Sequence, residues 1–345
     1  MLQTMIVGSL PRPTWLVPPH QMYVSWQLQG ESLQEGQDDA VRLAVADQEV
    51  AGLDILTDGE QRRRHYIWGF CEGLSGLDFS DLVEIETRGN RYGHTVKAAR
   101  VTGPIRRPSS VLIDSLRFLK QHTSKPVKVT LPGPMTTADT LADAYYGDRE
   151  KLAMALAEVL NEEACELAEN GCDMIQFDEP CFNIYLDAVE AWGIKALERC
   201  TQSVSAKTAV HICYGYGVSA VLKWKTQNTD WGHYGRTLPL LRTSTIDMIS
   251  VECAASGVDP AVLAEARGKD IMVGVIDVGT EAIESPETVA RRIRTALEYV
   301  EPQHLYPCTD CGMIPRSRTA ARGKMHALAA GASLVRSELA GGADH

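Results

Sequence analysis

The sequence predicts an α/β protein built as a (β/α)8 TIM barrel. Short apolar segments alternate with helix-period segments along most of the 345 residues, a rhythm that is typical of parallel strands joined by helices. Eight apolar segments occur, and that number favours a closed barrel over an open doubly wound sheet. The length suits one barrel with an insertion, since about 250 residues is typical and longer versions occur.

The strand candidates are short apolar segments bounded by polar or turn-forming residues. They cover residues 4–9, 54–57, 127–131, 174–177, 209–213, 248–252, 271–276 and 305–308. Between them lie amphipathic helix patterns, such as the stripe Leu152, Leu156, Val159, Leu160 and Leu167. Ser285-Pro286-Glu287 combines a cap residue, a proline and an early acid, which predicts the start of another helix.

One segment interrupts the rhythm. Residues 69–108 are rich in glycine and charge, and they follow the second predicted strand. We therefore expect an insertion there, as a hairpin or a lid. The remaining pattern contains no interdomain linker, so residues 1–345 are predicted to form a single barrel unit.

Composition and charge exclude several classes of partner. The net charge is −11 and the longest basic run is Arg62-Arg63-Arg64, which argues against nucleic-acid binding because that relies on clustered cations. No segment holds the ~18 consecutive apolar residues that a membrane-spanning helix needs. The N-terminus lacks a signal-peptide layout, and nine cysteines are an odd number. We expect a cytoplasmic protein with free thiols and no membrane contact.

An H-x-C pattern at His211 and Cys213 is the strongest local signal. Residues two apart on a strand point to the same face, so both side chains are expected at one end of the barrel. Glu252 ends another predicted strand and Cys311 follows the last one. Because barrel strand ends converge on one pocket, these four residues predict a zinc site. Buried core thiols with a hydrogen-bonded histidine remain an alternative, as does a C-x-x-C redox pair of Cys308 with Cys311.

Acidic residues follow three other predicted strands, at Glu60, Asp178 and Asp277. Carboxylates at a barrel mouth are costly to desolvate unless they bind a cation or an amine, or pair with arginine. We interpret Glu60 and Asp178 as ligand-binding acids. Capping of a helix N-terminus is the alternative for Asp178 and Asp277.

Seven short motifs, taken together, resemble the catalytic barrel of cobalamin-independent methionine synthase. They run in the family's order from residue 7 to residue 312 and are specific by joint occurrence. They are Val7-Gly8-Ser9, Asp58-Gly59-Glu60, Leu131-Pro132-Gly133-Pro134, Ile175-Gln176-Phe177-Asp178-Glu179-Pro180, His211-Ile212-Cys213-Tyr214, Ile249-Ser250-Val251-Glu252 and Asp310-Cys311-Gly312. The chain looks like a short, single-barrel "core" form, since it has no room for the family's second, N-terminal barrel.

The resemblance implies a role for each matched residue. The positions that match zinc ligands are His211, Cys213, Glu252 and Cys311. The positions that match homocysteine contacts are Ser9, Glu60 and Asp178, with the two carboxylates on the amino group. The implied reaction moves a methyl group onto the homocysteine thiol to form methionine. In this interpretation Glu252 is a displaceable ligand, and Asp277 is a catalytic residue that relays protons.

The donor side departs from the family pattern. Gly279 stands where the family has a histidine that helps protonate the leaving folate, and residues 137–139 lack the tryptophan that packs on the folate ring. We therefore expect methylcobalamin or another activated carrier as the donor, with delivery by a partner protein as one route. Methyl-folate stays open, because Asp277 or Asp139 could relay a proton.

Three other functions fit parts of the pattern. An alkyltransferase for a different thiol of the coenzyme M type would want cations where Glu60 and Asp178 stand, although Arg62-Arg63-Arg64 leaves that reading open. A decarboxylase of the uroporphyrinogen type would need no zinc ligands. A non-catalytic zinc-storing or thiol-sensing protein would favour a closed ligand shell rather than an open one.

Overall fold

The computed structural model describes residues 1–19, 21, 23–93, 95–217 and 219–341. The strands of this part are β1 (Ser75–Glu86), β2 (Thr95–Arg106), β3 (Lys128–Pro132), β4 (Ala142–Asp143), β5 (Met174–Asp178), β6 (Lys207–Ile212), β7 (Met248–Glu252), β8 (Asp270–Ile276) and β9 (Leu305–Thr309). They form two sheets, one of three strands and one of six.

The helices of the same part surround the larger sheet. They are α1 (Gly30–Ala51), α2 (Trp68–Cys71), α3 (Ile113–Gln121), α4 (Pro134–Asp139), α5 (Arg149–Glu169), α6 (Leu186–Ala188), α7 (Ile194–Thr201), α8 (Ser219–Gln227), α9 (His233–Thr243), α10 (Pro286–Leu297) and α11 (Arg318–Gly341). Helix α10 begins as predicted, because the Ser285 hydroxyl accepts from Thr288 N at 3.2 Å. Among the described helices, none combines the length and the apolar character that crossing a bilayer requires.

The six-stranded sheet is parallel throughout, in the order β3-β5-β6-β7-β8-β9. Strands β3, β5 and β7 are buried at every residue, which is typical of a parallel sheet, where both faces of each strand are covered. Six predicted strands and the α/β class are thereby confirmed. Parallel pairing brings the carboxyl ends of the strands to one edge, where Asp178 lies opposite His211.

Two predicted strands, residues 4–9 and 54–57, are not strands in the structure. Leu56 forms an isolated parallel bridge with Val127. In residues 4–9 two amides turn to side chains, since Thr4 N donates to Asp54 Oδ2 at 2.7 Å and Val7 N donates to Thr309 Oγ1 at 3.0 Å. In residues 54–57 the amide of Thr57 donates to Gln48 Oε1 at 3.0 Å. These side-chain acceptors replace the ladder bonds that would define a strand.

The two extended segments nevertheless lie against the parallel sheet. Met5 N donates to the carbonyl of Pro307 in β9 at 3.3 Å, and Ile55 N donates to the Thr4 carbonyl at 3.1 Å. A separate buried cluster draws side chains from both segments and from five strands of the sheet. Its members are Met5, Val7, Ile55, Met174, Ala209, Met248, Met272 and Cys308.

Strands β1 and β2 pair antiparallel and form a hairpin within the segment 69–108. Strand β4 adds to it in parallel through Arg100 and Val101. At the hairpin end Arg88, Gly89 and Asn90 have φ angles of 57°, 57° and 54°. This left-handed run turns the chain sharply and brings Arg88 back towards the carboxyl edge of the parallel sheet.

A buried carboxylate ties the hairpin to helix α5. Glu163 of α5 accepts from Arg107 Nη1 at 2.8 Å, from Ser110 Oγ at 2.9 Å and from Leu112 N at 2.7 Å. Its side chain is fully buried. The segment that follows β2 is therefore held by one carboxylate through charge and hydrogen bonds together.

Replacing Glu163 by glutamine should destabilise the fold. The substitution removes the ion pair and turns an amide group towards three donors, so we expect a loss of roughly 2–4 kcal/mol in the free energy of unfolding. Urea denaturation measures it. Glu162→Gln is the control, because Glu162 lies 3.5 Å from the same arginine with its side chain 56% exposed, and a change within about 0.5 kcal/mol is expected. Equal midpoints for the two variants would contradict this account.

Candidate functional site

His211 lies near the carboxyl end of β6, and its ring is held from one side only. The Nδ1 atom lies 2.8 Å from Ser250 Oγ of the neighbouring strand β7. The Nε2 atom is buried and has no hydrogen-bond partner among the described residues. A buried ring nitrogen without a partner is costly, and a second-side hydrogen bond of this kind is typical of a metal-ligating histidine.

Two thiols lie beside that nitrogen. The sulfurs of Cys213 and Cys311 are 3.6 Å apart, and ligand atoms of His211, Cys213 and Cys311 all lie within 4.8 Å of one another. The contact with Cys311 and burial raise the pKa of the Cys213 thiol well above its ordinary value. A bound cation would instead favour the ionised form of these thiols, and the three residues form a possible metal site.

Glu252, the fourth predicted ligand, ends β7 beside this group but is engaged elsewhere. Its Oε1 accepts from Tyr214 N at 2.8 Å and its Oε2 accepts from Lys225 Nζ at 2.6 Å. The side chain is completely buried. The structure thus brings three of the predicted ligands together, while the fourth, Glu252, forms an ion pair with Lys225 beside them.

Asp310 joins the two loops that carry these ligands, and the sequence analysis missed it. Its carboxylate accepts from the backbone amides of residues 253–255 at 2.8–3.0 Å. The loop after Glu252 is thereby attached to the residue that precedes Cys311. Only glycine fits at Gly274, because a Cβ there would overlap the Asp310 carboxylate. The signal for this role was an acid directly preceding a ligand cysteine.

The predicted substrate-binding residues reach the same place. Glu60 has a left-handed φ of 57°, a strained conformation for a non-glycine residue, and its Oε1 accepts from Thr130 Oγ1 at 2.9 Å. Asp178 accepts from Gln176 Nε2 at 2.7 Å, and burial raises the pKa of Asp178 to about 6. Ser9, Glu60 and Asp178 line one cavity.

This cavity has a volume of about 240 Å³ and opens beside the thiols. Its walls also include aromatic side chains of two segments that the sequence analysis did not single out, namely His65, Tyr66, Trp68 and Tyr92. Arg88 of the hairpin end lines it too. The Arg88 guanidinium donates to Asp139 Oδ2 at 3.0 Å and to Tyr66 Oη at 3.1 Å.

Asp277 does not belong to this cavity. Its Oδ1 accepts from Gly279 N at 2.6 Å, and its own amide donates to Glu284 Oε1 at 2.7 Å. Among the described residues that line the cavity, Asp277 is absent. This contact closes a turn after β8 and is not the helix N-cap that the sequence offered as the alternative, because Ser285 caps the following helix α10.

The three consecutive arginines are likewise absent from the described cavity lining. Arg62 pairs with Asp38 on helix α1. Arg63 is buried and donates to Thr130 Oγ1 at 3.1 Å. A sulfonate-binding site built on this run, which a coenzyme M-type acceptor would want, has no support in the geometry.

Comparison with known families gives a single answer. The family described as "Cobalamin-independent synthase, Catalytic domain" matches residues 2–333. The chain belongs to this family. It is therefore an enzyme of the methionine synthase type, a methyltransferase, and the resemblance drawn from the seven motifs is confirmed.

Relatives that match this chain over nearly its whole length belong to the same type of enzyme. A methionine synthase of Sulfurisphaera tokodaii is 32% identical over 340 residues, covering 98% of this chain and 94% of that protein. One of Sulfolobus acidocaldarius is 32% identical over 341 residues, with coverages of 98% and 94%. These coverages show that the similarity extends over the whole of both chains.

Solved structures extend the comparison to three dimensions. A B12-independent methionine synthase from Shewanella sp. W3-18-1, solved in complex with selenomethionine, has a TM-score of 0.96 at 48% identity and covers 99% of both chains. A methyltransferase from Methanosarcina mazei has a TM-score of 0.64 at 14% identity, with coverages of 97% and 94%. The second likeness shows a shared fold alone.

The family's description bears on the methyl donor. Cobalamin independence favours methyl-folate over the methylcobalamin that the sequence analysis expected. That expectation rested on Gly279, which stands where the family has a histidine, and on the lack of an aromatic surface in residues 137–139. The structure supplies aromatic rings from other segments, since Trp68 and Tyr92 line the cavity. These rings could not be assigned to the site from sequence, because their segments carry no strand-end signal.

Proposed function

We propose that the protein is a zinc-dependent homocysteine S-methyltransferase that forms methionine. One observation carries this proposal. Two thiols and a histidine whose Nε2 has no partner among the described residues share a single cavity with two buried carboxylates. The first group suits a metal that activates a thiol, and the second suits the ammonium group of an amino acid.

The residues present fit a zinc ion. His211, Cys213 and Cys311 would hold it, and Glu252 would be the exchangeable fourth ligand. Zinc bound by thiolates lowers the pKa of an incoming thiol and so supplies a thiolate nucleophile at neutral pH. The Ser250 hydroxyl orients the His211 ring from behind, and Asp310 keeps the two ligand loops together.

Homocysteine would bind through its amino group to Glu60 and Asp178, with Ser9 beside them. Gln176 fixes one oxygen of Asp178 and Thr130 fixes one of Glu60, so both carboxylates are oriented before the ligand arrives. The Shewanella relative binds selenomethionine, a product analogue. That likeness supports methionine as the product here.

For the donor we propose a methyl group carried on a reduced folate. The flat pterin ring would lie against Trp68 and Tyr92, which replace the missing aromatic side chain at residues 137–139. The hairpin 75–106 would act as a lid, since its end contributes Arg88 and Tyr92 to the cavity. We further propose that residues 4–9 and 54–57 close the parallel sheet into a barrel, in view of their backbone contacts with β9 and β3.

The function is tested by methionine formation from homocysteine with the zinc-loaded protein. We expect turnover with methyl-tetrahydrofolate, and slower or no turnover with methylcobalamin, because the family is cobalamin-independent. Trp68→Ala should raise the apparent KM for the folate about tenfold or more, since base–aromatic stacking of this kind is worth roughly 1–3 kcal/mol. Val50→Ala, at a side chain 72% exposed on helix α1, is the control. No methionine with either donor would refute the function.

Zinc binding distinguishes the metal site from a redox pair. We expect about one zinc per chain in the parent protein, and its loss in Cys311→Ala. Cys308→Ala should keep the metal, because Cys308 belongs to the interior cluster with Met272 and Met248. Metal analysis after dialysis against a weak chelator measures the zinc content per chain of the parent and of each variant. Retention of zinc in Cys311→Ala would overturn the assignment.

Binding of the ligand's ammonium group by Asp178 predicts that the affinity for the ligand depends on pH. The pKa of Asp178 is raised to about 6 by burial, and only the ionised carboxylate attracts an ammonium group. Affinity for methionine, which has no thiol to titrate, should be nearly full from about pH 7 upwards and about half of that at pH 6. Below pH 6 it should fall by about tenfold per pH unit, until the pKa of the ligand-bound state is reached.

Asp178→Asn should lower this affinity at pH 7.5 by roughly 10- to 100-fold and abolish the acid-side decline, since a charge-assisted bond is worth about 1.5–3 kcal/mol. Isothermal titration between pH 5 and 8 measures both effects. Asp187→Asn is the control, because that side chain is 96% exposed. The same acid-side slope in Asp178→Asn and the parent would exclude Asp178 as its source.

A further inference from the structure

Lys225 is buried in an unusual environment for an ammonium group. It lies on helix α8, with its side chain 6% exposed. Its Nζ lies 3.8 Å from the centre of the Tyr216 ring, 5.7 Å from that of Tyr214 and 5.8 Å from that of Trp231. The negative faces of aromatic rings stabilise a cation at such distances. The carboxylate of Glu252, 2.6 Å away, is its ion-pair partner.

This pair and one backbone amide form a complete binding position for a carboxylate. Lys225 Nζ holds Oε2 of Glu252, and Tyr214 N holds Oε1 at 2.8 Å. Tyr214 directly follows the ligand Cys213, so the position adjoins the metal site in the chain itself. Both oxygens are satisfied without a metal contact, and the residue is fully buried.

We infer that Lys225 is a positioning residue that receives the Glu252 carboxylate when it leaves the metal and so frees one ligand position for the substrate thiolate. This inference rests on the proposed zinc-dependent function and deepens it. A substrate thiol would lose its proton to solvent as its S–H bond breaks, and its sulfur would take the ligand position that Glu252 leaves. The Glu252 carboxylate would then remain ionised on Lys225.

Charge explains why a lysine is needed at this place. Cys213, Cys311 and a substrate thiolate together bring three negative charges to a divalent ion, so a fourth anion is poorly held there. A buried carboxylate that leaves the ion must find a cation or remain uncompensated in a low-dielectric interior. Among the basic residues that the structure describes, Lys225 alone is paired with Glu252. The aromatic rings around it exclude water, which strengthens that pairing.

A purely structural ion pair between helix α8 and strand β7 is the rival explanation. It predicts that removing the lysine lowers the stability of the fold without changing how Glu252 and the substrate thiolate compete for the metal. The inference predicts instead that, once the lysine is removed, Glu252 stays on the metal more firmly and resists replacement by a thiolate. The two explanations differ in metal coordination and ligand affinity, which can be measured without turnover.

The test compares Lys225→Met with the parent, with Lys225→Arg as the conservative variant and Lys223→Met as the control. Methionine keeps the length and packs among aromatic rings, whereas Lys223 is an exposed residue on the same helix. Zinc affinity is measured by competition with a chromophoric chelator. Homocysteine affinity is measured by calorimetry, and the number of Zn–S contacts with and without homocysteine by X-ray absorption.

We expect Lys225→Met to bind zinc as tightly as the parent or up to about tenfold tighter. Its homocysteine affinity should be at least tenfold weaker, and it should gain no Zn–S contact at a homocysteine concentration that saturates the parent. Lys225→Arg should restore most of the affinity, and Lys223→Met should behave as the parent. If Lys225→Met does not fold, as judged by circular dichroism, Lys225→Gln takes its place with the same expected losses.

Two results would overturn the inference. One is a homocysteine affinity and Zn–S gain in Lys225→Met equal to those of the parent, and the other is a loss of zinc affinity of tenfold or more. A failure of the proposed function looks different, because the parent itself would then bind no zinc or gain no Zn–S contact with homocysteine. Adding Glu252→Gln gives a further check, since Lys225→Met should no longer change homocysteine affinity in that background.

Discussion

Buried negative charge is the constraint on which the arrangement of this protein depends. Asp178, Glu179, Glu252 and Asp310 are all buried at the carboxyl edge of the parallel sheet, and each would be costly there without partners. The structure satisfies them in different ways. Glu179 takes two backbone amides and a hydroxyl at the start of α4, while Asp310 takes three amides of one loop.

The acidic groups and thiols that have too few partners in the protein are those on which the proposed function depends. Asp178 has an amide donor on one oxygen, Glu60 has a hydroxyl on one oxygen, and the thiols of Cys213 and Cys311 have each other. These groups face one cavity. An ammonium group and a zinc ion would supply the missing positive charge, so the same electrostatic deficit explains both the proposed substrate and the proposed metal.

The aromatic part of the cavity wall comes from the hairpin and from the segment before it. Residues 137–139 carry no aromatic side chain, yet the hairpin and the segment before it bring Tyr92 and Trp68 to the cavity wall. Arg88 attaches the hairpin end to Asp139 at 3.0 Å, and Glu163 holds the segment that follows β2. The cavity thus depends on contacts between segments that lie far apart in the sequence.

The sequence by itself determined the α/β class and six parallel strands, and it predicted the three residues His211, Cys213 and Cys311 that the structure brings together as a possible metal site. It could do so because strand periodicity places His211 and Cys213 on one face and parallel pairing collects strand ends at one edge. Tertiary structure decided the rest. Residues 4–9 and 54–57 lost strand character because the side chains of Asp54, Thr309 and Gln48 accept some of their amides. Lys225 meets Glu252 across 27 residues, and the aromatic wall comes from a hairpin whose path no local pattern specifies. Side-chain acceptors and distant ion pairs depend on three-dimensional proximity, which periodicity along the chain does not encode.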